Sequence, residues 1–193
     1  MLVMKFGGTS VKDPAAITRL AGIVRGVRAG GQSDGPVVVV SALAKVTDQL
    51  VAITAHALAG ETAAIAGVID KLRERHLETA AMVKDDKRRA ALVTALDADL
   101  NELTSLTHAL DVVRDVSPRL QDAIAAIGEL LSSRIVAAAL EDVGLPTTWV
   151  DARRVLVTDS STPAAPLMDE TRTRCRELLV PLVAAGRIPI LGG

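Results

Sequence analysis

Three short segments bring together residue types that can do chemistry. The first is Lys5-Phe6-Gly7-Gly8-Thr9-Ser10. A lysine at the end of an apolar run is costly to bury without a counter-ion. Glycines just after it let the backbone approach a ligand and turn its N–H groups toward an anion. The pair points to a phosphate site with Lys5 as its cation. The alternative is a strand-end lysine reaching solvent beside an ordinary turn. A Walker loop is excluded, because the lysine precedes the glycines and no GxxxxGK[ST] occurs. The second segment, Ser41 to Asp48, offers the hydroxyls of Ser41 and Thr47, although the position of Thr47 also fits a helix N-cap. The third is Gly128-Glu129. Among Ile127, Leu130 and Leu131, a core-facing glutamate would need a cationic partner such as a substrate ammonium. A solvated helical glutamate is the competing reading.

Other reactive residues carry less. His56, His76 and His108 show no i, i+3 or i, i+4 pairing and no HExxH, so no metal site is assigned. They read as surface or helix-packing residues. Cys175 sits between Arg174 and Arg176, which could lower its pKa, but it reads as an inert helical thiol. The charged stretches Glu74-Arg75 and Lys84 to Arg89 read as solvated helix faces.

The elements that must position these groups follow from patterning. Leu2 to Phe6 is a buried strand ending in a glycine turn. Asp13-Pro14 caps a helix whose apolar residues Ile17, Leu20, Val24 and Val27 recur at helical spacing, with Gly30-Gly31 as its stop. Val37 to Val40 is a β-branched run of the kind buried on both faces. Strand, helix and strand in that order predict a right-handed βαβ unit in a parallel sheet. Ligands in such sheets bind beyond the carboxyl ends of the strands.

From Asp48 to Val113 there is no proline and only two glycines, Gly60 and Gly67, which predicts two or three helices forming a helical insertion. Ser117-Pro118 opens another helix, interrupted at Gly128 and stopped at Gly144-Leu145-Pro146. Thr147 to Val150 and Val155 to Thr158 read as short strands, Asp159 to Pro166 as a loop, and Asp169 to Leu179 as a helix with Pro181 breaking or kinking it. Ile188 to Leu191 is the last expected strand, before Gly192-Gly193.

Composition narrows the classes. In 193 residues, 49% hydrophobic and 23% charged, the chain reads as a folded domain rather than a disordered one. Phe6 and Trp149 are the only aromatics, so the core must be aliphatic. A net charge of -1 offers no basic face for nucleic acid. The single cysteine excludes an internal disulfide. No apolar run reaches a membrane span of about 18 residues, and no signal peptide is present, so no membrane partner and a cytoplasmic location are expected.

Taken together, the segments resemble one family. Val3-Met4-Lys5-Phe6-Gly7-Gly8-Thr9-Ser10-Val11 resembles the N-terminal signature of the aspartokinases, members of the amino-acid-kinase superfamily. Val39-Val40-Ser41-Ala42 through Thr47-Asp48-Gln49-Leu50 resembles their second loop, and Gly128-Glu129-Leu130-Leu131-Ser132 their glycine-glutamate element. Trp149-Val150-Asp151-Ala152, Thr158-Asp159 and Ile188 to Gly193 resemble the segments that follow.

The resemblance implies an α/β three-layer αβα sandwich with a mostly parallel sheet and a helical insertion at about 48–116. Residues 1–193 would be the N-terminal, amino-acid-binding part of an amino-acid-kinase domain whose C-terminal part is missing, which fits an ending on a strand and two glycines. It implies aspartate kinase activity: ATP and L-aspartate give ADP and 4-phospho-L-aspartate, the entry to lysine, threonine and methionine biosynthesis. Lys5 would be catalytic. Lys5, Phe6, Gly7 and Gly8 would surround the ATP phosphates, and Ser41, Thr47 and Glu129 would bind L-aspartate. Magnesium (Mg2+) would arrive with ATP, and the full-length protein would be a homo-oligomer.

Two features depart from the family. Ser160 to Ala165 replaces a Phe-Gly loop, and a later glycine-rich nucleotide segment is absent. The insertion resembles the lysine-sensitive and homoserine-dehydrogenase-fused branches. The alternatives are a sister kinase acting on another acid and a non-catalytic aspartate-binding or dimerisation module.

Overall fold

The structure, a computed structural model, describes residues 2–30, 35–113, 117–159, 161 and 164–193. Gly31, the end of the 48–116 span and part of the 159–166 loop lie outside the described residues.

Strand β1 (Val3–Phe6) leads through a 3-10 turn at Gly8–Ser10 into helix α1 (Pro14–Ala29). The Asp13 side chain accepts from the Ala16 N–H at 2.7 Å, and Pro14 occupies the first turn, where its missing N–H costs nothing. Strand β2 (Val37–Val40) follows, then α2 (Val46–Ala59), α3 (Thr62–Ala80), α4 (Asp86–Val113) and α5 (Pro118–Asp142). Strand β3 (Thr147–Trp149), α6 (Met168–Leu178), α7 (Val180–Ala184) and β4 (Ile188–Gly192) complete the order.

The strands form one sheet in the order β1-β2-β4-β3, and every pairing is parallel. The α/β three-layer expectation holds. Val38, Val40 and Ile190 face a large core shared with α1 and α5, while Val37 and Leu191 face a smaller one with Val155, Leu179 and Val183. Pro189 is tolerated inside β4 because pairing with β2 begins only at Ile190. By length and composition α5 could cross a membrane, but it is the core helix, with 67% of its apolar window buried.

Four expectations need correction. β1 is not a buried strand: Val3 and Lys5 are exposed and Met4 and Phe6 half-buried, because β1 is an edge strand paired to β2 alone among the described strands. Gly128 does not interrupt its helix; α5 runs unbroken from Pro118 to Asp142. A Cβ at Gly128 would lie 2.9 Å from Val46 Cγ1 and 3.0 Å from Ala42 Cβ and Leu50 Cδ1, so the glycine lets α2 approach. Val155 to Thr158 is not a strand. Val155 closes the 3-10 turn Ala152–Arg154, and Thr158 makes only an isolated antiparallel bridge to Pro166. Thr47 is not an N-cap. Lys45 holds that position, and Thr47 lies in the first turn of α2. Pro181 does break the chain, separating α6 from α7.

His76 of α3 is wholly buried, and its Nδ1 lies 2.6 Å from the Leu72 carbonyl, to which it donates. Its Nε2 is buried without a partner. Burial pushes its pKa down to about 4, against the opposing Leu72 hydrogen bond. The folded state therefore resists a proton that the unfolded chain accepts near its ordinary value of about 6.5. Stability is full above that value and falls as pH drops toward about 4. The loss over this window is on the order of 3 kcal/mol. Urea unfolding at a series of pH values should show it. His76→Met should flatten the profile between pH 7 and 4; an unchanged profile would assign the slope to other groups.

Candidate active site

Because the sheet is parallel, the carboxyl ends of its strands share one edge. The register sets Phe6 beside Val40 and Val40 beside Gly192, so three strands end in line. The loops leaving that edge carry the first two sequence motifs.

Glycines let these loops close on one another. A Cβ on Gly8 would lie 2.8 Å from the Ala42 carbonyl oxygen, so the first loop touches the second. A Cβ on Gly192 would lie 2.9 Å from both Cβ and the carbonyl oxygen of Glu129, so the end of β4 sits against α5 at that residue. Gly7 has open space where a side chain would stand, which leaves its backbone approachable.

Hydrogen bonds fix the edge. The Ser41 N–H donates to the Phe6 carbonyl at 3.0 Å, and the Gly193 N–H donates to Val40 at 3.0 Å. The buried Ser132 hydroxyl of α5 donates to the Ser41 carbonyl at 2.8 Å. β1, β2, β4 and α5 are thereby joined where the motifs lie.

Lys5 is exposed and, among the described residues, forms no ion pair. It leaves the sheet on the Val37 and Leu191 side, since its register partners are Val39 and then Leu191. Glu129 comes from α5 on the other side. Burial raises the pKa of its half-buried carboxyl, and the Lys5 ammonium pulls it back down. The two charges therefore sense each other around the end of the sheet. Ser41 is half-buried just after β2, and Thr47 is exposed in the first turn of α2.

The structure thus brings Lys5, Phe6, Gly7, Gly8, Ser41, Thr47 and Glu129 to one edge. Patterning missed three further participants. Ser132 is visible in the sequence only as the last residue of the glutamate motif. Gly192 reads as a terminating glycine, although its role is a close approach. Lys45 has φ 69°, the only positive φ among described non-glycine residues, and α2 starts there without a side-chain cap. Nothing in a lysine announces that conformation.

Among the described residues no three His, Cys, Asp or Glu side chains gather as a metal cage. A cavity of about 260 Å³ lies elsewhere, between α4, α5 and β3, bordered by Arg88, Arg134, Glu141 and Trp149. Its charges are already engaged: Arg134 with Asp99, Arg88 with Asp142, and Glu141 with Thr147 and Arg187.

Known proteins resemble this chain in sequence and in fold. The model of the amino acid kinase family matches residues 1–193. The bifunctional aspartokinase/homoserine dehydrogenase 1 of Zea mays, a chloroplastic protein, is 31% identical over 159 residues, which is 82% of this chain and 17% of the relative. An aspartokinase of Schizosaccharomyces pombe is 26% identical over 168 residues, 80% of this chain and 30% of the relative. Aspartokinase III of E. coli, solved with aspartate and ADP, superposes with a TM-score of 0.81 at 26% identity, over 100% of this chain and 40% of that one. The chain spans less than half the length of each.

Proposed function

Because the chain belongs to the amino acid kinase family, we propose that it is the acceptor-binding part of an aspartate kinase, phosphorylating the side-chain carboxylate of L-aspartate with ATP. The observation that carries this reading is the shared edge. An unpaired lysine and a glycine turn stand on one side of the sheet's end, and a half-buried glutamate on the other. That arrangement suits an acceptor holding both an ammonium and a carboxylate, set against a polyphosphate.

The chemistry needs little more. An aspartate carboxyl has a pKa of about 3.9 and is an ionised nucleophile at neutral pH, so no general base is required. A carboxylate oxygen of the acceptor forms a bond to the γ-phosphorus. The bond from that phosphorus to the β,γ-bridging oxygen breaks, and ADP leaves with the electron pair. Catalysis then reduces to alignment and charge neutralisation. Lys5 neutralises the transferring phosphoryl group, with backbone groups of Phe6, Gly7 and Gly8 around the phosphates. Ser41 and Thr47 hold the acceptor by hydrogen bonds, and Glu129 pairs with its α-ammonium. An uncapped α2 N-terminus beside them favours an anion as well. Mg2+ would arrive with ATP, held mainly by the phosphates and water, and would neutralise part of their charge.

On this reading the chain is the N-terminal, amino-acid-side part of the kinase domain, with α2 to α4 as its helical insertion. It acts in the cytoplasm, within a longer, homo-oligomeric enzyme of lysine, threonine and methionine biosynthesis.

The test is to trap acyl phosphate as a hydroxamate with ATP, Mg2+ and L-aspartate. This chain would be assayed beside a polypeptide extended to the full length of the gene. Hydroxamate from the longer polypeptide that depends on L-aspartate supports the reading. Turnover only with another acid would reassign the chain to a sister kinase. Aspartate binding without ADP release from either would make it a binding module.

A further inference from the structure

We infer that Ser132 is a positioning residue, whose hydroxyl ties the loop after β2 to the helix that carries Glu129. Helical serines ordinarily spend their hydroxyl on the carbonyl three or four residues back. Ser133, equally buried, does so: it donates to Leu130 at 2.9 Å and accepts from Trp149 Nε1 at 2.9 Å. Ser132 behaves differently. Its shorter contact, 2.8 Å, crosses to the Ser41 carbonyl, 91 residues away, while its local contact to the Glu129 carbonyl is 3.2 Å. One proton serves both, and the longer-range partner is favoured.

The consequence is a continuous chain of donors. Ser132 holds the Ser41 carbonyl, and the N–H of the same residue holds the Phe6 carbonyl at 3.0 Å. The glycine turn, the second loop and the glutamate helix are thus set in one register by a single peptide unit on each side of Ser41. Contact at Gly192 sets Glu129 against the end of β4, and Ala42 of the second loop packs against Gly8 and Gly128. To these non-directional contacts Ser132 adds the one side-chain hydrogen bond between α5 and that loop among the described residues. Without its hydroxyl the Ser41 carbonyl is left without this donor, and the loop must move to find water.

The acceptor-binding half of this inference rests on the aspartate reading, so the experiment has two arms. L-Aspartate is titrated calorimetrically into the chain, and hydrogen exchange is followed at the Ser41 amide. Ser132→Ala is expected to weaken aspartate binding at least fivefold and to speed Ser41 exchange about tenfold. Ser133→Ala, an equally buried loss one residue away, should leave both within twofold. Ser132→Thr, which keeps the hydroxyl, should restore both. Should Ser132→Ala not fold, Ser132→Cys, of nearly the same shape but a weak donor, takes its place. Equal effects of the Ser132 and Ser133 replacements would overturn the inference, as would Ser41 exchange that ignores Ser132. If the unaltered chain does not bind aspartate but Ser41 exchange still depends on Ser132, the substrate reading fails and the tie stands.

Discussion

Replacing Lys5 with methionine should lower kcat by about a hundred- to a thousandfold, the usual cost of losing one preorganised group aimed at developing charge. The measurement belongs to the extended polypeptide, with hydroxamate or ADP release as readout. Methionine keeps the length and apolar stem while deleting the charge. The fold should survive, since Lys5 is exposed and ion-paired to nothing described. KM for aspartate should move only a few-fold, because Lys5 is assigned to the phosphoryl group. A loss under tenfold, or a loss confined to KM, would move the catalytic charge to another residue; Lys45 at the start of α2 would be examined next.

The second large effect concerns stability. Asp99 of α4 is almost wholly buried, and Arg134 of α5 grips both its oxygens, through Nε at 2.6 Å and Nη2 at 3.1 Å. The same guanidinium lies 3.7 Å from the ring centre of Trp149 on β3. One side chain therefore couples the helices to the sheet. Arg134→Met should destabilise the protein by about 3 to 5 kcal/mol, mainly because a buried carboxylate loses its partner. Adding Asp99→Leu should recover most of that, since removing both charges is often neutral. Urea midpoints for the two variants decide the matter. If the double variant is no more stable than the single one, the cost lies in the lost Trp149 stacking and packing.

Patterning exposed much of this molecule. The Lys5 strand, the proline-capped α1 and the Val37 to Val40 strand follow from local rules, because each rests on neighbours a few residues apart, and the shared edge follows from the parallel pairing that a strand-helix-strand order predicts. What stayed hidden depends on distant partners. Gly128 looked like a break, yet a helix interior tolerates glycine at a cost of about 1 kcal/mol when close packing offsets it. The residues it accommodates, Ala42, Val46 and Leu50, lie far away in sequence. Val155 to Thr158 had strand-like composition but no strand beside it to complete a ladder. Thr47 had the right chemistry for a cap, but the chain turns two residues earlier through a left-handed lysine. The aspartokinase resemblance was legible because its motifs are local, whereas Ser132's bond to Ser41 joins two of those motifs in space.

The placement of β4 between β2 and β3 also has a consequence in time. β2 and β4 are separated in sequence by every helix from α2 to α7. A strand that must insert between two others after so long an excursion incurs its loop-closure entropy before any pairing rewards it. The helices α2 to α4 contact their sequence neighbours and can form on a faster clock. Pulse-labelled exchange during refolding would therefore show α3 and α4 protected ahead of β2 and β4. Because Gly192 and Val40 meet only in that late step, the edge that gathers the motif residues is the last part of the chain to exist, and a nascent or partly refolded molecule would hold its helices well before that edge had formed.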